Sequence, residues 1–142
     1  VTFFVDANVI VYAASEGPYR EPCRTVLEAV ARGEADGRTS PAVLEEVWFL
    51  ERSGRLGRVE GLTGHAYTVF SPLLAVTDEA FRVALELRAP GLGPADRLHA
   101  GTCIASGLPA ILSADASFDG LRGLRRVDPL DERRLGRLLA GR

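Results

Sequence analysis

Apolar residues follow two rhythms along this chain. Some come in short unbroken runs, as in Phe3-Phe4-Val5 and Ala110-Ile111-Leu112. A brief β-prone run that is apolar throughout reads as a strand buried on both faces. Others recur every three or four positions, as in Val26, Leu27 and Val30, and in Val43, Leu44, Val47 and Leu50. That spacing reads as one face of an amphipathic helix.

Taken in order, the pattern predicts a strand over 3–5 and a short helix over 8–14, stopped near Gly17-Pro18. A helix over 20–32 ends at Gly33, and a brief strand over 37–39 follows. Ser40-Pro41 then puts a capping hydroxyl and a proline at the start of a helix running to about Arg52. Gly54, Gly57, Gly61 and Gly64 interrupt the next stretch, read as a loop and then a weak helix or strand. Leu73 to Val76 is a strand candidate. Thr77 caps a helix whose first turn carries Asp78 and Glu79, which suits the macrodipole. Beyond the break at Pro90-Gly91-Leu92-Gly93-Pro94 come a helix over 95–106, the strand over 110–112 and a short helix over 117–121. A strand near Arg126-Val127 and a helix over 131–139 complete the set. Strands alternating with helices predict an α/β domain with a central parallel sheet flanked by helices on both faces.

The chain has 142 residues, 46% of them hydrophobic, which fits one domain with a substantial core. A net charge of -2 excludes a uniformly basic nucleic-acid binder but not a local basic patch. All 17 basic residues are Arg, the better residue for bidentate phosphate contacts, although biased codon usage is the preferred explanation. Cys23 and Cys103 lack any metal-ligand or redox spacing and read as small buried hydrophobes, so a reducing cytoplasm is expected. No basic leader or membrane-length apolar stretch is seen.

Four acids change the picture. Asp6 ends the first strand, Glu46 borders the apolar stripe of its helix, Asp96 opens a helix after a Gly/Pro loop, and Asp115 follows the strand over 110–112. In an open α/β fold such positions meet at the carboxyl ends of the strands, where ligands bind. Carboxylates gathered there repel one another unless a divalent cation accompanies them. Each has a plainer reading: helix caps for the three Asp, a solvated helix face for the Glu. Glu45 and Glu46 cannot share a face, and Glu46 is preferred. Asn8 and Ser113 stand where they could orient a carboxylate, and Asp119 follows Asp115 by four residues. His99, three residues after Asp96, reads as a packing or hydrogen-bonding residue rather than a ligand.

The ordered set resembles the PIN-domain family, especially the small VapC-type nucleases that act as toxins in toxin–antitoxin pairs. The matching stretches are Phe4-Val5-Asp6-Ala7-Asn8-Val9, Thr39 to Val47, Asp96-Arg97-Leu98-His99-Ala100, and Ile111 to Phe118 with Ser113 where Thr is common. Val127-Asp128-Pro129 fits as well. The resemblance implies one PIN-like domain over 1–142 and a Mg²⁺- or Mn²⁺-dependent ribonuclease in which the cation activates water and steadies phosphoryl charge. It implies Asp6, Asp96 and Asp115 as metal ligands, with Glu46 binding through water or orienting the nucleophile. Asn8, Ser113 and Asp119 would support the site or face the substrate. An antitoxin partner and a homodimer are also implied.

For RNA, Arg52, Arg55 and Arg58, or Arg133, Arg134 and Arg137, could track phosphates; no aromatic ladder suggests a base preference. Trp48 and Phe49 are candidates for an antitoxin groove, with burial of at least one in the core expected. An RNA-processing nuclease outside a toxin pair would use the same residues; a silent RNA- or protein-binding module would carry the acidic edge as a leftover, which the cost of keeping self-repelling carboxylates argues against. Receiver-type phosphoryl transfer needs a Lys, which this chain lacks; dehalogenase-like phosphatases need Asp-x-Asp, and the second position here is Asn8.

Overall fold

In the computed structural model, which describes residues 1–141, four strands make one parallel sheet. They are β1 (Phe3–Val5), β2 (Gly37–Arg38), β3 (Ala110–Leu112) and β4 (Arg125–Val127), in the order β2-β1-β3-β4. Every residue of β1 and β3 is buried, as expected of central strands covered on both faces. The edge strand β4 carries Arg125 and Arg126 and buries only Val127. Seven helices flank the sheet: α1 (Ala7–Ala13), α2 (Arg20–Ala31), α3 (Pro41–Ser53), α4 (Leu62–Phe70), α5 (Asp78–Glu86), α6 (Pro94–Ala105) and α7 (Glu132–Ala140).

The chain leaves β1 toward β2 on one side and returns through β3 on the other. The gap between the carboxyl ends of β1 and β3 is therefore the topological switch point, where an open α/β sheet leaves room for a site. Register fixes that gap: Val5 lies opposite Leu112, so Asp6 and Ser113 leave the sheet side by side. Close packing of α2 on the sheet explains Gly37, since a Cβ there would meet Val30 Cγ2 at 2.7 Å.

Two segments differ from the sequence expectation. Leu73 to Val76 forms no strand. It runs past the end of β2, with one main-chain bond from Leu74 to Thr39 O at 2.9 Å, and Pro72 has no N–H to extend a ladder. The glycine-rich stretch resolves into a loop and α4. Its helix start is capped from a distance: Glu51 of α3 accepts from the amides of Thr63 at 2.8 Å and Gly61 at 3.2 Å. These bonds hold the Glu51 carboxyl below its ordinary range. The short helix expected over 117–121 is a single 3-10 turn over Ala116–Phe118.

Candidate active site

Asp6 is the N-cap of α1 and is buried. Its Oδ1 accepts from Ala7 N at 2.8 Å, and its Oδ2 accepts from Ser113 Oγ at 2.7 Å and Asn8 Nδ2 at 3.1 Å. One carboxylate thus caps α1 and joins the ends of β1 and β3. Asn8 also spans the switch point, donating to Ser113 Oγ at 3.0 Å and accepting from Ala114 N at 3.1 Å. Asp115 is tied in through its amide, which donates to Ser113 Oγ at 3.0 Å. Its carboxylate caps the 3-10 turn by accepting from the Ser117 amide and hydroxyl, which keeps it below its ordinary pKa.

Glu46 arrives from α3. Ser40, the N-cap of α3, accepts from Val43 N, and Thr39 donates to Val5 O at 2.8 Å, so the helix start is pinned to the end of β1. Val43, Leu44 and Val47 are buried, Glu45 is exposed, and Glu46 sits at the border, as the stripe implied. Its Oε1 lies 2.8 Å from Nε2 of His99, which α6 buries against the ring of Phe4. One ligand atom from each of Asp6, Glu46 and His99 falls within 4.8 Å of the others.

Asp96 stands in the first turn of α6, half-buried. Its carboxyl is pushed up to about 6, first by burial and then by the negative charge of Asp6, with Asp115 and Glu46 adding to it. Burial also raises Asp6, against the lowering bond from Ser113 and the charge of His99. Burial lowers His99, but its bond to Glu46 and the surrounding carboxylates outweigh this, so its net shift is upward. Asp96 is held in place by its neighbour. Arg97 donates to the main-chain carbonyls of Ala84, Leu87, Ala89 and Leu92, fixing the loop that leads into α6.

The structure thus brings Asp6, Asn8, Ser113 and Asp115 into one hydrogen-bonded group, with Glu46 beside it and Asp96 in its field. Asp119 is turned elsewhere: it is exposed and receives both Nε and Nη2 of Arg126, at 2.8 and 3.1 Å. Arg126 in turn donates to Ser113 O at 3.0 Å, so Asp119 reaches the group only through that arginine. His99, read in the sequence as a packing or hydrogen-bonding residue, is both: it packs on Phe4 and bonds Glu46. Its one signal was its place a single helical turn after Asp96. Both Trp48 and Phe49 are exposed, contrary to the expected burial of one, because the core-facing stripe of α3 is already filled by Val43, Leu44 and Val47. Both cysteines are buried, and burial raises their thiols, that of Cys23 to about 12. The two arginine clusters lie on the exposed surface.

Two carboxylates and an imidazole lie close enough to share a cation, and the carboxylate oxygens suit a hard divalent ion such as Mg²⁺ or Mn²⁺. Burial and mutual repulsion raise Asp6 and Asp96, and a cation would relieve that repulsion.

Fold and site together define an α/β protein with one buried and several half-buried carboxylates near the switch point of a parallel sheet. The PIN domain family profile matches residues 3–124, and the chain belongs to that family. It is 29% identical over 133 residues to Ribonuclease VapC7 of Mycobacterium tuberculosis (strain ATCC 25618 / H37Rv), spanning 88% of this chain and 90% of that protein. Its fold is similar to that in the crystal structure of VapBC2 from Rickettsia felis bound to a DNA fragment from their promoter. There the TM-score is 0.66 at 19% identity, covering 90% of this chain and 98% of that one. No helix among the described residues is long and apolar enough to cross a membrane.

Proposed function

We propose that this chain is a Mg²⁺- or Mn²⁺-dependent ribonuclease and the toxin of a toxin–antitoxin pair. The observation that supports this most is the convergence of Asp6 and Glu46 at the switch point, within the electrostatic reach of Asp96. Membership of the PIN domain family and the likeness to a protein named as a ribonuclease support it from outside the geometry. Asp6, Asp96 and Asp115 would hold the cation, which when bound activates water and stabilises charge on the phosphoryl oxygens. Asp6 is kept in one orientation by Ala7, Asn8 and Ser113, so its lone pairs face a fixed direction. Glu46 would orient the attacking water or bind through it. Asp119 would act at one remove, by holding Arg126 against the main chain of Ser113. Exposed arginines, Arg52, Arg55 and Arg58 or Arg133, Arg134 and Arg137, would carry the RNA backbone toward an edge that itself repels phosphate.

The test is cleavage of a panel of structured RNAs by wild type, Asp6→Asn and Asp96→Asn, with and without Mg²⁺ or Mn²⁺. Cation-dependent cutting by wild type, lost in both variants, is expected. Equal activity in all three, or cutting that survives chelation, would sink the reading. An antitoxin partner, a homodimer and a cytoplasmic location belong to the same proposal. For the antitoxin, the support is the likeness to VapBC2 and a cleft of about 560 Å³ bordered by α3 and α4, where Leu44, Trp48, Tyr67 and Leu73 lie beside Glu45 and Glu51. A short neighbouring reading frame whose product binds this chain and blocks cleavage would bear this out.

A further inference from the structure

We propose that His99 is a positioning residue: its Nε2–H holds the Glu46 carboxylate in the orientation the cation site requires. This rests on the ribonuclease reading of the same site. Glu46 stands in mid-helix on a long side chain, 37% exposed, and among the described residues its carboxylate makes no other hydrogen bond or ion pair. A Glu so placed loses much rotamer freedom on being ordered, and one partner must supply the restraint. His99 is suited to supply it. The residue is 1% exposed, packed with its ring centroid 6.0 Å from that of Phe4, and anchored in α6. An ionised carboxylate only accepts, so the 2.8 Å contact requires the proton on Nε2.

The other ring nitrogen argues against a packing role. His99 Nδ1 is buried and has no hydrogen-bond partner among the described residues. An aliphatic side chain would fill the same space without leaving a polar atom orphaned, which is unfavourable in a core. Among the described residues, the one hydrogen bond that the imidazole makes is with Glu46, one of the four acids proposed for the site. The same bond ties α3 to α6, so the helices bearing Glu46 and Asp96 are set relative to each other by it.

The experiment compares wild type, His99→Leu, His99→Gln, Glu46→Gln and the His99→Leu/Glu46→Gln double variant of the full chain. Thermal melting, calorimetric Mn²⁺ affinity and single-turnover RNA cleavage are measured on each. His99→Leu is expected to stay folded and, at pH ~8 where the charge of His99 contributes least, to melt close to wild type, since it loses the Glu46 bond but also removes an orphaned nitrogen. It should nonetheless lose about 10–100-fold in Mn²⁺ affinity or cleavage, the usual effect of deleting an outer partner of a metal site. His99→Gln keeps an N–H donor at a similar reach and recovers most of that loss. In the Glu46→Gln background His99→Leu costs little more, because the two residues act as one unit. Unchanged affinity and rate in His99→Leu, or fully additive losses, would overturn the proposal. So would His99→Gln failing as badly as His99→Leu, which would make the imidazole nitrogen a direct ligand. If wild type binds Mn²⁺ but cuts no RNA, the ribonuclease reading fails, while the Mn²⁺ affinities of the variants still decide the role of His99.

Discussion

The hydroxyl of Ser113 donates to Asp6 Oδ2 at 2.7 Å and joins the carboxyl ends of the two central strands. The same oxygen accepts from Asn8 Nδ2 and from Asp115 N, each at 3.0 Å. A hydroxyl has one donor and two acceptor lone pairs, and all three are used. Ser113→Ala therefore leaves three buried or half-buried groups short of a partner. We expect a loss of about 1–3 kcal/mol in stability, the cost of unsatisfied buried polar groups. Asp6 would lose the bond that most lowers its pKa and become harder to ionise. Ser113→Thr keeps the hydroxyl and should lose less of both stability and cleavage. Urea melts and cleavage rates of the two variants test this; equal behaviour would mean that the hydroxyl is not what holds the site.

Much of this arrangement was legible in the sequence, for a physical reason. β1 and β3 are buried on both faces, so they read as unbroken apolar runs that end at a polar residue. Local caps such as Ser40 and Thr77 were equally readable, because a cap and the amide it serves lie within three residues. What escaped depended on partners far along the chain. Glu51 caps α4 across the glycine loop, and His99 meets Glu46 only after α3 and α6 have packed. Leu73 to Val76 has a strand's composition, but β2 ends before it can pair. Trp48 and Phe49 illustrate a different limit, since hydrophobic character alone does not say which face of α3 the core has already filled.

Burial of the site acids, with their mutual repulsion added, predicts an unusual dependence of stability on pH. Asp6 is raised above its ordinary 3.8 and Asp96 to about 6. For such groups the folded state binds more protons than the unfolded one between those values, so stability falls as pH rises through them. His99, raised above 6.5, acts with the same sign at higher pH: its contribution is present below 6.5 and lost as pH rises through its folded value. The lowered acids Asp115, Asp119 and Glu51 titrate below their ordinary values and do not interfere above pH ~5. Cation-free protein should therefore melt lower at pH ~8 than at pH ~5, with a shallower slope in Asp96→Asn. Mn²⁺ should raise the melting temperature more at the higher pH, where its ligands are ionised. A melting temperature of the chelated protein that climbs over this range would contradict the site as described.

Asp119 gives a graded prediction. Its pairing with Arg126 is exposed on the Asp side, and exposed pairs contribute about 0–1 kcal/mol. Arg126 keeps its bonds to Ser113 O and Asp128 when Asp119 is neutralised. Asp119→Asn should thus slow cleavage by less than about tenfold, the lower edge for loss of an outer partner. Asp96→Asn should slow it far more. Comparable losses in the two variants would bring Asp119 into direct contact with the cation or the RNA.

Gly101 sets how closely α5 and α6 approach, and so where Asp96 sits. A Cβ at this position would fall 2.3 Å from Ala80 O and 3.0 Å from Ala84 N, both main-chain atoms of α5. Neither can rotate away, so Gly101→Ala must push the helices apart. Overpacking of this kind typically costs about 1–3 kcal/mol. Because Arg97 ties the end of α5 to the loop ahead of Asp96, the displacement should carry to the acid as well. Weaker Mn²⁺ binding should then accompany the lower melting temperature. Gly136 is the control. It lies in α7, where an added Cβ meets nothing within 4 Å. There Gly→Ala removes only the excess freedom of glycine and should stabilise by about 0.4–1 kcal/mol. Opposite shifts in melting temperature are expected for two identical substitutions in two helices. A Gly101→Ala protein that melts and binds Mn²⁺ like wild type would show that the spacing of α5 and α6 does not govern the site.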